Sequence, residues 1–338
     1  MEEINIQAVH HFGLKPKSIV KHKLYHIVNT NAGVKVLKKV APDSEKARQS
    51  LLFQHYIKEN LCRLGYPFLD RFHASAQNEP FVALDKALYS LTDHLPFRES
   101  NFSNAAEFKK AVTSTATVHA LAKKIEPLPY AGDGAEPPPT SVAAFYQSTA
   151  EKLGALKKSV SKYKQLSDFD VLFCKHYAYY KACLDQWYEL IRQSDFDNRN
   201  RTSREKSDLC HNLLKEEYIL LNRNEVYITN FSECAYGCSL KDFAQLIKRH
   251  FKAAPDCPAA VGEIIETYQK HNPLTKKELE MLYAILLLPD KFIKICTQYY
   301  AKKRTWIPGT FKSRIEQTIE TKDAYRVYVD RIYEEFLK

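Results

Sequence analysis

The side chains of this sequence that are best suited to chemistry lie between residues 208 and 233. His211 stands there with the carboxylates of Asp208, Glu216, Glu217 and Glu233. A carboxylate can act as a general base or hold a metal ion. This segment is therefore the first candidate for a catalytic site.

A β-hairpin must position these side chains. Residues 218–221 form a short apolar strand, residues 222–224 supply a polar turn, and residues 226–228 form the returning strand. The apolar run that ends at His211 leads into this hairpin. Residues 209–232 are thus the element around which the candidate site is organised.

The hairpin resembles the catalytic segment of aminoglycoside-phosphotransferase-type kinases, which has the form H-x-D-x-x-x-x-N, then a strand, then I-D-F-D. His211 occupies the histidine position of that pattern. The catalytic aspartate position holds Leu213, and the asparagine position holds Tyr218. Asn230 stands at the metal-binding aspartate, and Ser232 stands at the last acid. The resemblance therefore implies a kinase fold that has lost its kinase chemistry.

The replaced positions cannot supply what the reaction requires. Leu213 can accept neither a proton nor a metal ion, and Asn230 offers only a neutral carbonyl oxygen. Losing even one charge-stabilising group typically costs about 3 kcal/mol or more of transition-state stabilisation. We therefore expect no catalytic residues, no bound metal and no ATP–magnesium cofactor. Rescue by a relocated acid stays open, with Asp208, Glu216, Glu217 and Glu233 as the candidates.

The N-terminal sequence has the pattern of a small α+β lobe. Residues 17–39 alternate in polarity around a turn at residues 29–33, which predicts a β-hairpin. Asp43 or Ser44 then caps a helix that stops at Gly65. Two further strands, at residues 68–75 and 80–84, are predicted to pair, and residues 87–92 continue the sheet. This order matches the small lobe of a kinase.

Lys38 is the candidate for binding nucleotide phosphates in this lobe. In kinases a lysine on the third strand does so, and a helix glutamate orients that lysine. Gln54 stands at the expected glutamate position, and Glu45 and Glu59 are alternatives to it. An amide can form a hydrogen bond with Lys38 but cannot form an ion pair. No glycine-rich phosphate loop precedes these residues.

The remaining sequence is mostly helical. A loop at residues 94–102 precedes a helix over residues 104–124 that Ser103 is predicted to cap. Residues 127–139 form a Pro- and Gly-rich linker, and residues 193–207 form a polar loop. The other predicted helices span residues 141–162, 168–192, 239–251, 258–271, 275–288, 289–303 and 311–337.

Several segments, taken in order, resemble the CotS-type spore coat family, a branch of the aminoglycoside phosphotransferase and choline kinase superfamily. They are residues 97–104, 117–119, 209–232, 239–243 and 299–308. The resemblance implies a bilobal, protein-kinase-like α+β fold. Its β-rich N-lobe would span residues 1–94, and its helical C-lobe would span residues 95–338.

The same resemblance assigns structural roles to four further residues. Arg98 and Glu99 are expected to pair across the hinge between the lobes. Asp242 is expected to cap its helix or to brace the loop around His211, and Trp306 belongs to the C-terminal signature. None of these roles requires a substrate.

Membership of such a family implies expression during endospore formation and assembly with other spore coat proteins. The expected location is the cytoplasm of the mother cell and then the coat. The longest apolar run, residues 281–288, is far too short to span a bilayer, and the acidic N-terminus has no signal core. We therefore expect no transmembrane segment.

Composition is compatible with this interpretation. The 338 residues are 45% hydrophobic, which supports a packed core, and the formal net charge is +10. No nucleic-acid-binding motif accompanies that charge, so nucleic acid is a minority hypothesis. The eight cysteines lack metal-site spacing and are interpreted as reduced thiols. Cys234 and Cys238 could still pair in an oxidising coat.

Four functional hypotheses remain open from the sequence. The preferred one is a structural pseudokinase of the spore coat that acts through protein contacts. The second is a pseudokinase that binds nucleotide without transfer. The third is a small-molecule phosphotransferase of the aminoglycoside or choline type with relocated acids. The fourth is a basic module that binds polyanions, for which steep salt dependence of binding would be the sign.

Overall fold

The structure is a computed structural model that describes residues 7–22, 25–128, 141–255, 260–301 and 308–338. The chain forms two compact units. The first comprises residues 1–131 and 205–236, and the second comprises residues 132–204 and 237–338. The hairpin of the candidate site therefore belongs to the same unit as the N-terminal strands. The lobe boundary predicted at residues 94 and 95 stays a prediction.

A five-stranded antiparallel sheet dominates the first unit, with the strand order β1-β2-β3-β5-β4. Gly33, with a φ of +92°, opens β3 directly after the turn from β2, a conformation that favours glycine. This turn confirms the hairpin predicted over residues 17–39. The strands are β1 (Pro16–His22), β2 (Tyr25–Thr30), β3 (Gly33–Pro42), β4 (Val82–Leu84) and β5 (Ala87–Asp93).

The two faces of this sheet serve different purposes. Leu37 and Leu91 point into an apolar cluster that includes Ala8 and Val9 of the short helix α1 (Gln7–His11). Because side chains alternate along a strand, their neighbours on β3 and β5 point to the opposite face. Lys38 lies there, paired in register with Ser90. The sheet thus places the candidate lysine away from the α1 cluster.

Helix α2 (Glu45–Arg63) confirms the predicted helix and both of its ends. The Ser44 hydroxyl accepts a hydrogen bond from the backbone N–H of Ala47 at 3.3 Å and caps the first turn. After the last turn, Gly65 has a φ of +97°, and Tyr66 N–H donates to the Leu61 carbonyl at 2.9 Å. The helix therefore begins after Ser44 and ends before Gly65, as the sequence predicts.

The prediction that residues 68–75 form a strand paired with residues 80–84 is wrong. β4 pairs instead with β5, through a tight turn at Asp85 and Lys86 whose φ angles are +51° and +60°. Residues 68–72 run beside the hairpin, where Leu69 forms a parallel bridge with Ile228. Asp70, a polar residue of this segment, is buried in an ion pair with Lys58 of α2, which directs the segment towards α2 and the hairpin.

Helix α3 (Ala105–Ala122) and two small sheets complete the first unit. Asn104, not Ser103, caps α3, since its side-chain oxygen accepts hydrogen bonds from Ala106 N–H at 3.0 Å and Glu107 N–H at 3.2 Å. The small sheets contain β6 (Arg98–Glu99), β8 (Ile219–Asn222) and β9 (Glu225–Ile228), and β7 (Leu209–Cys210) with β10 (Ala235–Tyr236). The predicted hairpin is confirmed as β8 and β9.

The second unit consists of helices in the part of the chain that is described. Capping boxes at Ser167 with Asp170 and at Thr275 with Glu278 begin two of them. The helices are α4 (Val142–Val160), α5 (Asp168–Gln193), α6 (Phe196–Arg201), α7 (Leu240–Ala253), α8 (Ala260–Gln269), α9 (Lys276–Leu287), α10 (Asp290–Ala301), α11 (Pro308–Glu320) and α12 (Lys322–Ile332), with a π-helical turn at Tyr333–Leu337.

Three details of the second unit differ from the sequence prediction or fall outside it. The polar loop predicted at residues 193–207 contains helix α6. The long helix predicted over residues 311–337 is broken at Thr321, whose side chain bonds back to the Gln317 carbonyl at 2.8 Å. Residues 129–140, most of the predicted linker, lie outside the described residues.

His250 makes the stability of the second unit sensitive to pH. Its ring is 4% exposed, and its Nδ1 lies 3.1 Å from the Tyr328 hydroxyl. Burial lowers the pKa of His250 below the usual 6.5. The unfolded chain therefore takes up a proton near pH 6.5 that the folded chain resists, so stability is lost as the pH falls through that value.

We expect His250→Gln to reduce the loss of unfolding free energy between pH 7.5 and pH 5.5, measured by urea denaturation. The exposed His10 on α1 supplies the matched control, His10→Gln, which should keep the wild-type pH dependence. Equal pH dependence in His250→Gln and wild type would show that the buried imidazole does not produce the effect.

Candidate functional site

His211 follows β7 directly and ties together two stretches of backbone in the first unit. Its Nε2 lies 3.0 Å from the Thr229 carbonyl oxygen, and its Nδ1 accepts a hydrogen bond from Leu213 N–H at 3.2 Å. The ring, which is 2% exposed, also packs edge-on against Phe231 with the centroids 4.7 Å apart. The imidazole is therefore engaged with backbone at both nitrogens and braces the loop.

Leu213 occupies the position of the catalytic base, and the backbone around it is held firmly. The preceding Asn212 has a φ of +63°, and its side-chain amide donates to the Glu233 carbonyl at 2.8 Å. The following Leu214 is 1% exposed and anchors the loop in the core. The loop is thus ordered around an apolar side chain that can neither take up a proton nor bind a cation.

Tyr218 and Asn230 stand at the asparagine and metal-aspartate positions, and neither carries a carboxylate. Burial, followed by the neighbouring Glu217, raises the pKa of Tyr218. Asn230 has a left-handed φ of +61°, and its backbone N–H donates to Asp70 Oδ2 at 3.2 Å. The metal-aspartate position therefore holds a neutral side chain on a backbone that Asp70 fixes.

A buried ion pair between Lys58 and Asp70 lies next to Asn230. Lys58 Nζ is 2.8 Å from Asp70 Oδ1 and donates to the Asp70 backbone carbonyl at 2.8 Å. The Lys58 side chain is 2% exposed, and Nζ stands 4.4 Å above the Phe72 ring and 5.4 Å above the Phe231 ring. The pair therefore links α2 to the hairpin through residues 70–72.

Neither Lys58 nor Asp70 is among the site residues predicted from the sequence, although the position of Lys58 on α2 indicates that it is buried. Lys58 continues the buried face of α2, because Leu51, Gln54 and Leu61 are buried at compatible helical spacing. A lysine on such a face requires a buried acid as its partner. Asp70 gave no comparable signal, since it sits in a segment that was interpreted as a strand.

Lys38 lies close to this pair, whereas Gln54 bonds within its own helix. Burial lowers the pKa of Lys38, the charge of Asp70 opposes that shift, and the charge of Lys58 adds to it. The Gln54 amide donates to Ser50 Oγ at 3.2 Å. Kinases have a glutamate on this helix as the partner of the lysine. In the described structure, the charged residue of α2 that affects the pKa of Lys38 is instead a cation, Lys58.

The alternative acids are engaged elsewhere or are open to solvent. Glu216 Oε1 accepts from Phe102 N–H at 2.9 Å, and Glu217 pairs with Lys215 at 3.4 Å. Asp208 is 2% exposed, whereas Ser232 and Glu233 are exposed on a 3₁₀ turn.

The two alternatives to Gln54 on α2 have partners of their own. Glu59 pairs with Arg71 at 2.6 Å, and Glu45 accepts a hydrogen bond from the Gln49 amide at 3.0 Å. Within the described ranges, no three potential metal-binding side chains lie together.

The residues assigned structural roles behave differently from one another. Arg98 forms a bidentate pair with Glu107, at 2.7 and 2.9 Å, rather than with Glu99. Neighbouring residues in a strand point to opposite sides, which explains why Arg98 and Glu99 do not pair. Asp242 is fully buried in the first turn of α7, where a carboxylate is favoured by the helix dipole. Trp306 lies outside the described residues.

The thiols that could have paired form no disulfide. The structure records none among the cysteines that it describes, Cys234 and Cys238 included. Cys238 Sγ lies 3.7 Å from the sulfur of Met281 in the second unit.

A nucleotide and magnesium, which the resemblance to kinases implies, fit the donor set only in part. Lys38 is a suitable cation for a phosphate group. Magnesium is usually held by carboxylate oxygens in near-octahedral geometry, but Leu213 has no side-chain oxygen and Asn230 offers only a neutral amide oxygen. The side chains at the two catalytic acid positions therefore do not fit the metal.

A family model described as "Spore coat putative kinase YutH" matches residues 6–332 of this chain. The chain is also similar to spore coat protein S of Bacillus subtilis (strain 168). The two are 20% identical over 315 residues, which cover 92% of this chain and 87% of the relative. These findings confirm the resemblance to spore coat proteins that the sequence motifs indicated.

Solved structures of small-molecule kinases share the fold. An aminoglycoside phosphotransferase from Alicyclobacillus acidocaldarius matches with a TM-score of 0.84 at 14% identity, covering 100% of this chain and 97% of that one. Choline kinase from Cryptosporidium parvum matches with a TM-score of 0.54 at 13% identity, covering 99% and 95%. These similarities confirm the kinase-like α+β fold.

The Lys58–Asp70 pair should dominate the stability of the first unit. Because Asp70→Asn leaves Lys58 as an uncompensated buried charge, we expect it to cost about 3 kcal/mol or more of unfolding free energy in urea. Replacing both partners, as Lys58→Met with Asp70→Asn, should recover a large part of that loss.

The more exposed pair of Glu59, on α2, and Arg71 provides the control. Their side chains are 21% and 49% exposed, so Glu59→Gln should cost less than about 1 kcal/mol. If Asp70→Asn destabilised the chain no more than Glu59→Gln, the buried pair would not have the importance assigned to it.

Proposed function

This chain belongs to the spore coat family whose model it matches, and on that premise we propose that it is a pseudokinase of the endospore coat. It acts through contacts with other proteins and transfers no phosphoryl group. The observation that carries this proposal is the presence of neutral side chains, Leu213, Asn230 and Ser232, at the base position and at both metal-binding positions.

Energetics support the absence of transfer. Removal of one charge-stabilising group typically costs about 3 kcal/mol of transition-state stabilisation, which corresponds to more than about a hundredfold in rate. This chain lacks the carboxylates at the base position and at both metal positions, Leu213, Asn230 and Ser232. The buried carboxylate of Asp70, which accepts the backbone N–H of Asn230, is paired with Lys58 and so is not free to replace them.

Partners and location follow from the family in this proposal. Other spore coat proteins are the proposed partners, since the relative from Bacillus subtilis is itself named a spore coat protein. The chain would be made in the mother-cell cytoplasm and then assembled into the coat. Among the described helices, none is both long and apolar enough to cross a membrane.

A second candidate function is nucleotide binding without transfer, and Lys38 is the observation in its favour. Its amine is partly desolvated and lies near Asp70 and Lys58, so the local charge is positive. A phosphate group would compensate that excess without magnesium. An active aminoglycoside- or choline-type phosphotransferase would instead require one of the exposed acids, such as Glu233, to move into the site.

Thermal denaturation with millimolar ATP, in the presence and absence of magnesium or manganese, separates these candidates. Ligand binding to the folded state raises the melting temperature by mass action. We expect no increase that depends on the metal, because the metal-binding carboxylates are missing. A metal-dependent increase accompanied by ATP turnover would overturn the pseudokinase proposal.

Two lysine variants test the nucleotide-binding alternative. Lys38 and Lys39 are neighbours on β3 with side chains on opposite faces of the sheet. Suppose that ATP without metal raises the melting temperature of the wild type and of Lys39→Ala but not that of Lys38→Ala. This result would establish nucleotide binding through Lys38. If ATP changed the melting temperature of none of these three proteins, the protein-contact function would be the surviving candidate.

A further inference from the structure

The second unit contains a cavity of about 350 Å³ that the kinase resemblance does not explain. It lies among α5, α7, α10, α11 and α12, and every residue that lines it belongs to the second unit. Pockets of about 300–1,000 Å³ are typical of small-molecule sites. This cavity is therefore large enough for a compact ligand.

Aromatic rings form the walls of this cavity. The Tyr180 and Phe292 rings stack with their centroids 3.8 Å apart. The Tyr180 hydroxyl donates to the Thr318 carbonyl at 3.0 Å, and the Tyr325 hydroxyl donates to the Leu286 carbonyl at 2.8 Å. Tyr180 and Phe292 are only 5% and 1% exposed, so their stack supports the cavity from behind its surface. The Tyr179 and Tyr325 rings are partly exposed in the lining and offer apolar surface to a ligand. Such rings pack well against an aromatic molecule.

Basic side chains surround the aromatic walls. The lining includes five basic residues and one acid, Asp290. Three of the five are paired with acids: Lys248 with Asp290 at 3.0 Å, Lys322 with Asp323 at 2.6 Å and Arg326 with Asp330 at 2.6 Å. The remaining two are Lys252 and Lys291, for which the described residues provide no ion pair.

Lys252 and Lys291 place unbalanced positive charge at the cavity. Lys291 Nζ has the Gln317 side-chain oxygen at 3.4 Å, a neutral partner. Burial, followed by the charges of Lys252 and Arg314, lowers the pKa of Lys291. Both lysine residues are exposed to solvent where they line the cavity, and their like charges repel each other. An anion bound between them would relieve that repulsion.

We propose that this cavity binds a small aromatic anion, a ring system that carries one carboxylate, sulfonate or phosphate group. The rings of Tyr179 and Tyr325 would pack against the apolar body. Lys252 and Lys291 would bind the anionic group. The site is independent of Lys38 and of the proposed pseudokinase function, because its residues lie in the other unit.

Fluorescence titration of the full chain with 8-anilinonaphthalene-1-sulfonate tests this proposal. N-Phenyl-1-naphthylamine, which has the same rings and no sulfonate, is the neutral comparison probe. We expect saturable binding of the sulfonate at one site, with an affinity about tenfold above that of the neutral probe. Charge-assisted hydrogen bonds are strong enough to produce that difference.

The double variant Lys252→Gln/Lys291→Gln isolates the contribution of the two lysines. It should weaken binding of the sulfonate about tenfold and leave binding of the neutral probe unchanged. The matched control is Lys276→Gln/Lys277→Gln, which removes the same charge from two exposed positions at the start of α9. That control should bind both probes as the wild type does.

Alkylation of cysteines by iodoacetamide, followed by peptide mass spectrometry, locates the bound probe. Cys183 lines the cavity, whereas Cys174 lies on the same helix outside it, and both are partly buried. Saturating sulfonate should slow the modification of Cys183 and leave that of Cys174 unchanged. Equal affinity for the two probes, an unchanged affinity in Lys252→Gln/Lys291→Gln, or unprotected Cys183 would each overturn the proposal.

Discussion

The ion pair between Lys58 and Asp70 is the interaction on which the candidate site depends. It joins the middle of α2 to the segment that runs beside β9, and Asp70 also accepts the backbone N–H of Asn230. Burying a charge is costly unless a partner compensates it, so each residue is needed because the other is present. The positions of α2, residues 66–72 and the hairpin are thereby coupled through one carboxylate.

In the proposed pseudokinase, this pair stabilises the kinase-like scaffold in place of kinase chemistry. In a phosphotransferase, charged side chains at this place must remain available to the nucleotide and metal. Here Asp70 is directed at Lys58 and at the backbone N–H of Asn230. These polar groups therefore stabilise the protein itself. A fold alone does not define a function, and the similarity to the aminoglycoside phosphotransferase, at 14% identity, concerns the fold.

Local sequence signals predicted the local structure well. The Ser44 cap, the Gly65 stop and the strands around residues 222–224 formed as expected, because each depends on neighbours in the sequence. The predictions that failed concern contacts between residues that are distant in the sequence. The sequence predicts a strand around Asp70 because nothing near it indicates its partner, Lys58, which lies twelve positions away on a helix. The cavity in the second unit joins α5 to α12 across almost 150 residues, so no sequence pattern could have indicated it.

Recovery of the chain from purified spore coats tests whether it assembles there through protein contacts. Variants would replace the native chain in a sporulating strain, and the coat fraction would be quantified by immunoblot. We expect Lys38→Met to be incorporated like the wild type, because the proposed assembly depends on protein contacts and not on a bound nucleotide. Asp70→Asn should be depleted, because it disrupts the first unit. Loss of Lys38→Met from the coat, with its stability unchanged, would contradict the proposed function and indicate that assembly requires nucleotide binding.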